Sequence, residues 1–207
     1  MTTPCIAWIN QDDPPESFPE ISAALTSPNG LLAAGGDLTP ERLLYAYHRG
    51  VFPWFDSGQP ILWWSPNPRC VMRPHSFHIA RRLRRSIRNS PMEFSFNQAF
   101  NAIITACATG RVGQNGTWIT DEMIEAYSIL HDQGWAHSVE IWKDDELVGG
   151  LYGLVIGKAE LKNPALRLAL HDHIDGALCR RQRGAGIVVI KEVRVQMKRV
   201  DEVELGH

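Results

Sequence analysis

Residues 50–69 read Gly-Val-Phe-Pro-Trp-Phe-Asp-Ser-Gly-Gln-Pro-Ile-Leu-Trp-Trp-Ser-Pro-Asn-Pro-Arg and hold three of the chain's seven tryptophans. Trp54, Trp63 and Trp64 stand with Phe52 and Phe55 among Pro53, Pro60, Pro66 and Pro68. Each proline fixes φ and lacks a backbone donor, so no long helix passes through and the rings sit on a stiffened loop. Flat rings in set poses can stack on a nucleobase, and each indole carries one N–H that needs a partner when buried. The same rings could equally form a buried seam between domains, and composition by itself favours that packing role. Trp118 repeats the arrangement behind Gly110, Gly113 and Gly116. Trp54 and Trp118 are therefore the candidates for a pair of stacking platforms.

A second chemical feature follows directly. Between Arg69 and Met92 there is no acid, while Arg69, Arg73, Arg81, Arg82, Arg84, Arg85 and Arg88 are all basic. Before Arg69 the balance is opposite, with Asp12, Asp13, Glu16, Glu20, Asp37, Glu41 and Asp56 against Arg42 and Arg49. Ser76 can cap a helix from Phe77 to about Arg88 whose apolar stripe is Ile79, Leu83 and Ile87. Like charges at helical spacing repel one another, and guanidinium groups fork onto phosphate oxygens. Arg81, Arg82, Arg84, Arg85 and Arg88 are thus candidates for an RNA backbone. A solvated basic face that answers the acidic N-terminal third is the alternative.

The bulk properties narrow the class. A chain of 207 residues can bury a proper core as one domain or two small ones. Its formal net charge of −2 means that any nucleic-acid affinity arises from local asymmetry. No apolar run reaches spanning length and no basic-then-apolar leader opens the chain, which points to the cytoplasm. Cys5, Cys70, Cys107 and Cys179 form no Cys-x-x-Cys pair, and the eight histidines show no His-Glu-x-x-His spacing. Reduced thiols and no metal site are expected. His171 and His173 flank Asp172 in what reads as a polar turn.

Several elements must position these residues. Ile6–Ile9 reads as a short strand in an irregular N-terminal arm. Thr39 as cap, Pro40 at the first turn and Gly50 as stop predict a helix that buries Leu43, Leu44 and Tyr47. Asn97 can cap a helix bearing Phe100, Ile103, Ile104 and Cys107. Thr120, Asp121 and Glu122 open another, with Met123, Ile124, Tyr127 and Leu130 inward and Gly134 as its stop. The period then changes to two: residues 137–142 and 147–156 flank Lys143-Asp-Asp-Glu146 as a hairpin. Gly149, Gly150 and Gly153 in its second strand imply close approach by a ligand or another backbone.

Five blocks in order carry a specific resemblance. They are residues 28–44 (Pro-Asn-Gly-Leu-Leu-Ala-Ala-Gly-Gly-Asp-Leu-Thr-Pro-Glu-Arg-Leu-Leu), the 50–69 stretch, Gly116-Thr-Trp-Ile-Thr120, Ala136-His-Ser-Val-Glu140 and Leu147-Val-Gly-Gly-Leu-Tyr-Gly153. Together they resemble the leucyl/phenylalanyl-tRNA–protein transferase family over roughly residues 18–159. The resemblance implies an α+β chain: a small N-terminal domain (1–67), then an acetyltransferase-like domain (68–207) built on a central antiparallel hairpin. It also implies aminoacyl transfer: Leu, Phe or Met moves from aminoacyl-tRNA to proteins that begin with Arg or Lys, marking them for degradation under the N-end rule. No cofactor is implied, and a monomer is expected. By resemblance Trp54 and Trp118 hold the terminal adenosine, while Tyr127 and Leu151 match positions of the side-chain pocket.

The family pattern fails after Ala159. The expected Gly-Glu-Ser-Met-Phe, Ile-Asp-x-Gln and Ser-Leu-Gly-Ala blocks do not follow, and Ala177 stands where the Gln after Ile174-Asp175 would be. The break suggests a frameshift or truncation, with an incomplete C-terminal part and, if the last strands are missing, an unpaired hairpin edge. The family's proton-handling residues lie in those blocks, so the catalytic residue is unassigned and Glu140 and Glu160 are the nearby carboxylates. A catalytically dead tRNA-binding remnant is the alternative. Arg181-Gln-Arg-Gly-Ala-Gly186 also fits a coenzyme A pyrophosphate loop. That loop needs a following helix, whereas Ile187-Val-Val-Ile190 is strand-like, so an acyl-coenzyme A transferase is the weaker third reading.

Overall fold

The computed structural model describes residues 6–69, 91–109 and 118–156, together with Arg81, Arg82, Arg85, Asn89 and the backbone of 187–195. The N-terminal sheet comprises β1 (Ala7–Ile9), β2 (Leu31–Gly35), β3 (Phe52–Pro53) and β4 (Leu62–Trp64), in the order β1-β2-β4-β3. β1 runs parallel to β2, and the remaining pairs are antiparallel. Every residue of β2 is buried, so Leu-Leu-Ala-Ala-Gly shows no alternation to betray it as a strand. The aromatic stretch is not simply a loop. Its second half folds as β4, with Trp63 fully buried toward the core and Trp64 half-buried on the outer face.

Helix α1 (Pro40–His48) follows the first two strands and ends at Gly50, whose φ of +75° the missing Cβ permits. Leu43, Ala46 and Tyr47 are buried as its stripe, and Leu44 is only partly covered. The expected Thr39 cap is not made. Its hydroxyl donates instead to Asp37 Oδ1 at 2.5 Å. Asp37 also accepts from Arg42 Nε and Nη2 at 3.1 and 3.0 Å, and Arg42 reaches the carbonyls of Asp13 and Pro14 at 2.7 and 3.2 Å. Arg42, 1% exposed, thus ties the N-terminal arm to α1. A buried charge is tolerable only with such a full set of partners.

The second sheet has the order β5-β6-β7-β8 and is antiparallel throughout: β5 (Glu93–Phe96), β6 (Ala136–Lys143), β7 (Glu146–Ile156) and β8 (Ile187–Val195). The expected hairpin is present as β6–β7. Asp144 and Asp145 take φ of +52° and +61°, the conformation that a tight two-residue turn needs. The edge of β7 is not left open, because β8 pairs along it from Gly149–Val195 to Ile156–Ile187. Helices α2 (Phe100–Ala108) and α3 (Asp121–Asp132) cover one face. Thr120 caps α3 as expected, its hydroxyl accepting from the Met123 amide at 3.3 Å, and Gly134 follows at φ +80°. Cys107 is buried in α2. No helix among the described residues is long and apolar enough to cross a membrane.

The buried side chains form one cluster that runs from Ile9, Leu43, Tyr47 and Trp63 through Ile104, Met123, Tyr127 and Tyr152 to Ile156. Close approach at the hairpin glycines is explained by packing at Gly150. A Cβ there would stand 2.2 Å from Ile103 Cδ1 and 2.7 Å from the Val139 carbonyl oxygen. Helix α2 therefore rests directly on the sheet backbone.

Two outcomes are expected. Gly150→Ala lowers unfolding free energy by about 1–3 kcal/mol in denaturant melts, and Ile103→Val in the same chain recovers part of it. For Asp37, burial opposes the charge, but the hydrogen bonds from Arg42 and Thr39 and the guanidinium charge together lower its pKa. The folded value lies below the unfolded one, so its contribution is complete above about pH 4 and is lost as pH falls further. The stability difference between wild type and Asp37→Asn should be flat at higher pH and shrink below about pH 4.

Candidate functional site

Trp54 leaves β3 immediately after Pro53, whose ring faces the core, and its indole is 51% exposed. Its amide donates to the Leu62 carbonyl at 2.8 Å, and its own carbonyl accepts from Trp64 Nε1 at 2.7 Å. The two indoles meet at 5.9 Å with planes tilted by 52°. Trp63 has a different role. Its Nε1 donates to the Gly35 carbonyl at 2.9 Å, and Phe18 packs edge-on against it at 4.9 Å. Arg69 donates to the Gly50 carbonyl and lies 5.7 Å over the Phe52 ring, so it braces the entry to β3. Trp118 is half-buried against the core just before α3.

Tyr127 is fully buried on α3, and its hydroxyl is hydrogen-bonded to that of Tyr47 on α1. The Tyr152 ring stands edge-on to Tyr127 at 5.7 Å. Burial drives the Tyr47 and Tyr127 phenols well above their ordinary range, so both stay protonated. The register separates the two expected pocket residues. Gly150 and Tyr152 point toward the helices, whereas Leu151 between them points to the opposite face, beside its pairing partner Val139. Tyr127 and Leu151 are therefore not brought together on one face.

Glu140 pairs with Gly150 and lies on the helical side, with no exposed surface. Its Oε1 accepts from Ser138 Oγ at 2.5 Å and from the Ala99 amide at 3.3 Å, and its Oε2 accepts from Ser95 Oγ at 2.5 Å. Trp142 Nε1 donates to the same Ser95 hydroxyl at 2.7 Å. The carboxylate thus meets the N-terminus of α2, where a negative charge is favoured. Asn97, expected as that cap, instead sits at φ +56°. Its amide donates to His137 Nδ1 at 2.8 Å, and its oxygen accepts from the Ser138 amide at 3.0 Å. Burial, with His131 nearby, lowers the His137 pKa.

Arg81, Arg82 and Arg85 are helical and exposed; Arg84, Arg88 and Glu160 lie outside the described residues. The 181–186 loop and the His171-Asp172-His173 turn also lie outside them. Helical spacing assigns Tyr47 to the core alone and reveals neither the Ser95–Glu140–Ser138 network nor the Tyr152 contact. The alternation Ser138-Val139-Glu140 on a strand was the available signal, since both polar residues must share one face.

The α+β chain thus combines two sheets with an exposed indole on a proline-bounded turn, and it carries exposed helical arginines at Arg81, Arg82 and Arg85. Residues 36–67 match the family described as the leucyl/phenylalanyl-tRNA protein transferase N-terminal domain, and residues 71–163 match leucyl/phenylalanyl-tRNA protein transferase. A Cellvibrio japonicus protein named leucyl/phenylalanyl-tRNA–protein transferase is 56% identical over 141 residues, which cover 68% of this chain and 60% of that protein. The proteins of the same name from Hahella chejuensis and Pseudomonas entomophila are 52% and 54% identical over 155 and 153 residues. Those matches cover 75% and 74% of this chain, and 65% and 67% of the relatives. The chain belongs to the leucyl/phenylalanyl-tRNA–protein transferase family. It spans about three-fifths to two-thirds of the length of these relatives.

The Glu140 network yields its own test. Glu140→Ala takes the acceptor from the Ser95 and Ser138 hydroxyls and from a helix-terminal amide, and should cost about 2–4 kcal/mol in chemical unfolding. A loss below about 0.5 kcal/mol would show that the carboxylate does not hold α2.

Proposed function

We propose that the chain is an aminoacyltransferase that moves Leu, Phe or Met from aminoacyl-tRNA to the α-amine of proteins beginning with Arg or Lys, marking them for degradation. The observation that carries this is similarity over 141–155 residues, at 52–56% identity, to proteins bearing that enzyme's name. Trp54 and Trp118 hold the terminal adenosine between them. Tyr127 lines the side-chain pocket through the buried tyrosine cluster; Leu151, on the opposite face of β7, is not part of that wall. Arg81, Arg82 and Arg85, with Arg84 and Arg88, take the phosphates. The protein works in the cytoplasm as a monomer, without a cofactor. Residues 1–67 form its small domain, and 68–207 an acetyltransferase-like domain altered after about residue 159.

The chemistry asks little of the side chains. The ester linking amino acid to tRNA is already activated. The free amine attacks its carbonyl carbon, a C–N bond forms, the ester C–O bond breaks, and the amine proton leaves as the ribose hydroxyl regains one. Orientation supplies most of the rate, with proton transfer as the remaining task. The internal bonding of Glu140 supports a positioning role for it, with the proton handled elsewhere; Glu160 remains the other carboxylate candidate.

Transfer of labelled Leu from Leu-tRNA to a peptide beginning with Arg tests the proposal. Trp118→Ala should lower kcat/KM by roughly tenfold or more, as loss of one stacked base would. Replacing Arg81, Arg82 and Arg85 with Ala should weaken tRNA binding and flatten its salt dependence by about two to three logarithmic units per decade. Binding without turnover would identify a substrate-recognising remnant instead, and dependence on acyl-coenzyme A would contradict the proposal outright.

A further inference from the structure

We propose that Trp64 is a positioning residue for the Trp54 platform and acts through its indole N–H. This inference rests on the reading that Trp54 holds the terminal adenosine.

An exposed tryptophan on a turn is a poor platform unless its backbone is fixed, because a mobile ring must be ordered at the moment of binding. At Trp54 both backbone polar groups are held from one strand. Leu62 accepts the amide at 2.8 Å and Trp64 Nε1 donates to the carbonyl at 2.7 Å. Leu62 and Trp64 are two apart in β4 and so share its outer face. The Trp64 ring approaches Trp54 at 5.9 Å with a 52° tilt, a contact that supports one side of the indole without stacking flat against it. Trp54 remains 51% exposed.

Trp64 is itself held in place. It pairs across the sheet with Phe52 and Leu31, and the Arg69 guanidinium lies 5.7 Å over Phe52. The neighbouring indole supplies a contrast within the same strand. Trp63 turns inward and its N–H joins β4 to β2 through the Gly35 carbonyl. Two adjacent tryptophans thus spend their single donors on different tasks, one on the core and one on the platform. Trp64→Phe removes the donor and the indole's five-membered ring while it keeps a six-membered aromatic ring at 64, and the contribution of that lost area is read from the accompanying Tm.

The test is a double-mutant cycle that reads affinity for adenosine carrying a 3′-amide-linked leucine, with thermal unfolding of each variant alongside. Trp64→Phe should weaken binding about three- to tenfold with a small change in Tm. Trp54→Ala should weaken it further, and the double variant should bind no more weakly than Trp54→Ala alone. If Trp54→Ala weakens binding while Trp64→Phe behaves as wild type, or if the two losses add in full, the positioning role is overturned and the platform stands. If Trp54→Ala binds as wild type does, or the wild type itself does not bind, the platform reading falls and this inference falls with it.

Discussion

The two sheets of this protein share one interior, and the contact between Tyr47 and Tyr127 lies at their seam. Tyr47 projects from α1 on the N-terminal side, Tyr127 from α3 on the other, and their hydroxyls satisfy one another where no water reaches. A buried hydroxyl without a partner would be costly, so the pair fixes how α1 docks as well as whether it docks. Tyr152 on β7 closes the group edge-on. Helix α1 also packs against β3, the strand that leads into Trp54, so the base of that turn rests on the same helix. Gly50 ends α1 three residues after Tyr47, and Trp54 follows four residues later.

The second constraint is how the chain distributes its indole donors. A tryptophan buries a large apolar area but brings one N–H that must be used. Trp63 uses it inside the N-terminal sheet, Trp64 on the backbone of Trp54, and Trp142 on the Ser95 hydroxyl that also serves Glu140. These bonds turn aromatic packing, which is not directional by itself, into a defined geometry. Glu140 does the same for α2, whose first free amide it accepts while Gly150 lets the helix lie flat on the hairpin.

Where a residue's environment is set locally, the sequence was legible. The Thr120 cap, the Gly50 and Gly134 stops and the Asp144-Asp145 hairpin turn follow from backbone rules that act over a few residues. The short strand Ala7–Ile9 was visible for the same reason. The strands Leu31–Gly35 and Leu62–Trp64 were not, because burial on both faces or flanking prolines masked their period. Asn97 and Thr39 look like caps, yet Asn97 bonds to His137 and Ser138, which the sheet brings close, and Thr39 donates to Asp37, which the buried Arg42 holds. Trp54 was legible as a candidate from its prolines alone; that Leu151 faces away from Tyr127 depends on register, which spacing does not reveal.

Native-state hydrogen exchange would test most directly whether the seam makes one cooperative unit. Amides in β2 (Leu31–Gly35) and in β7 (Glu146–Ile156) should open with the same free energy, and Tyr127→Phe should lower both together. A β2 that opens at markedly lower free energy than β7, with Tyr127→Phe affecting only one of them, would contradict a shared core.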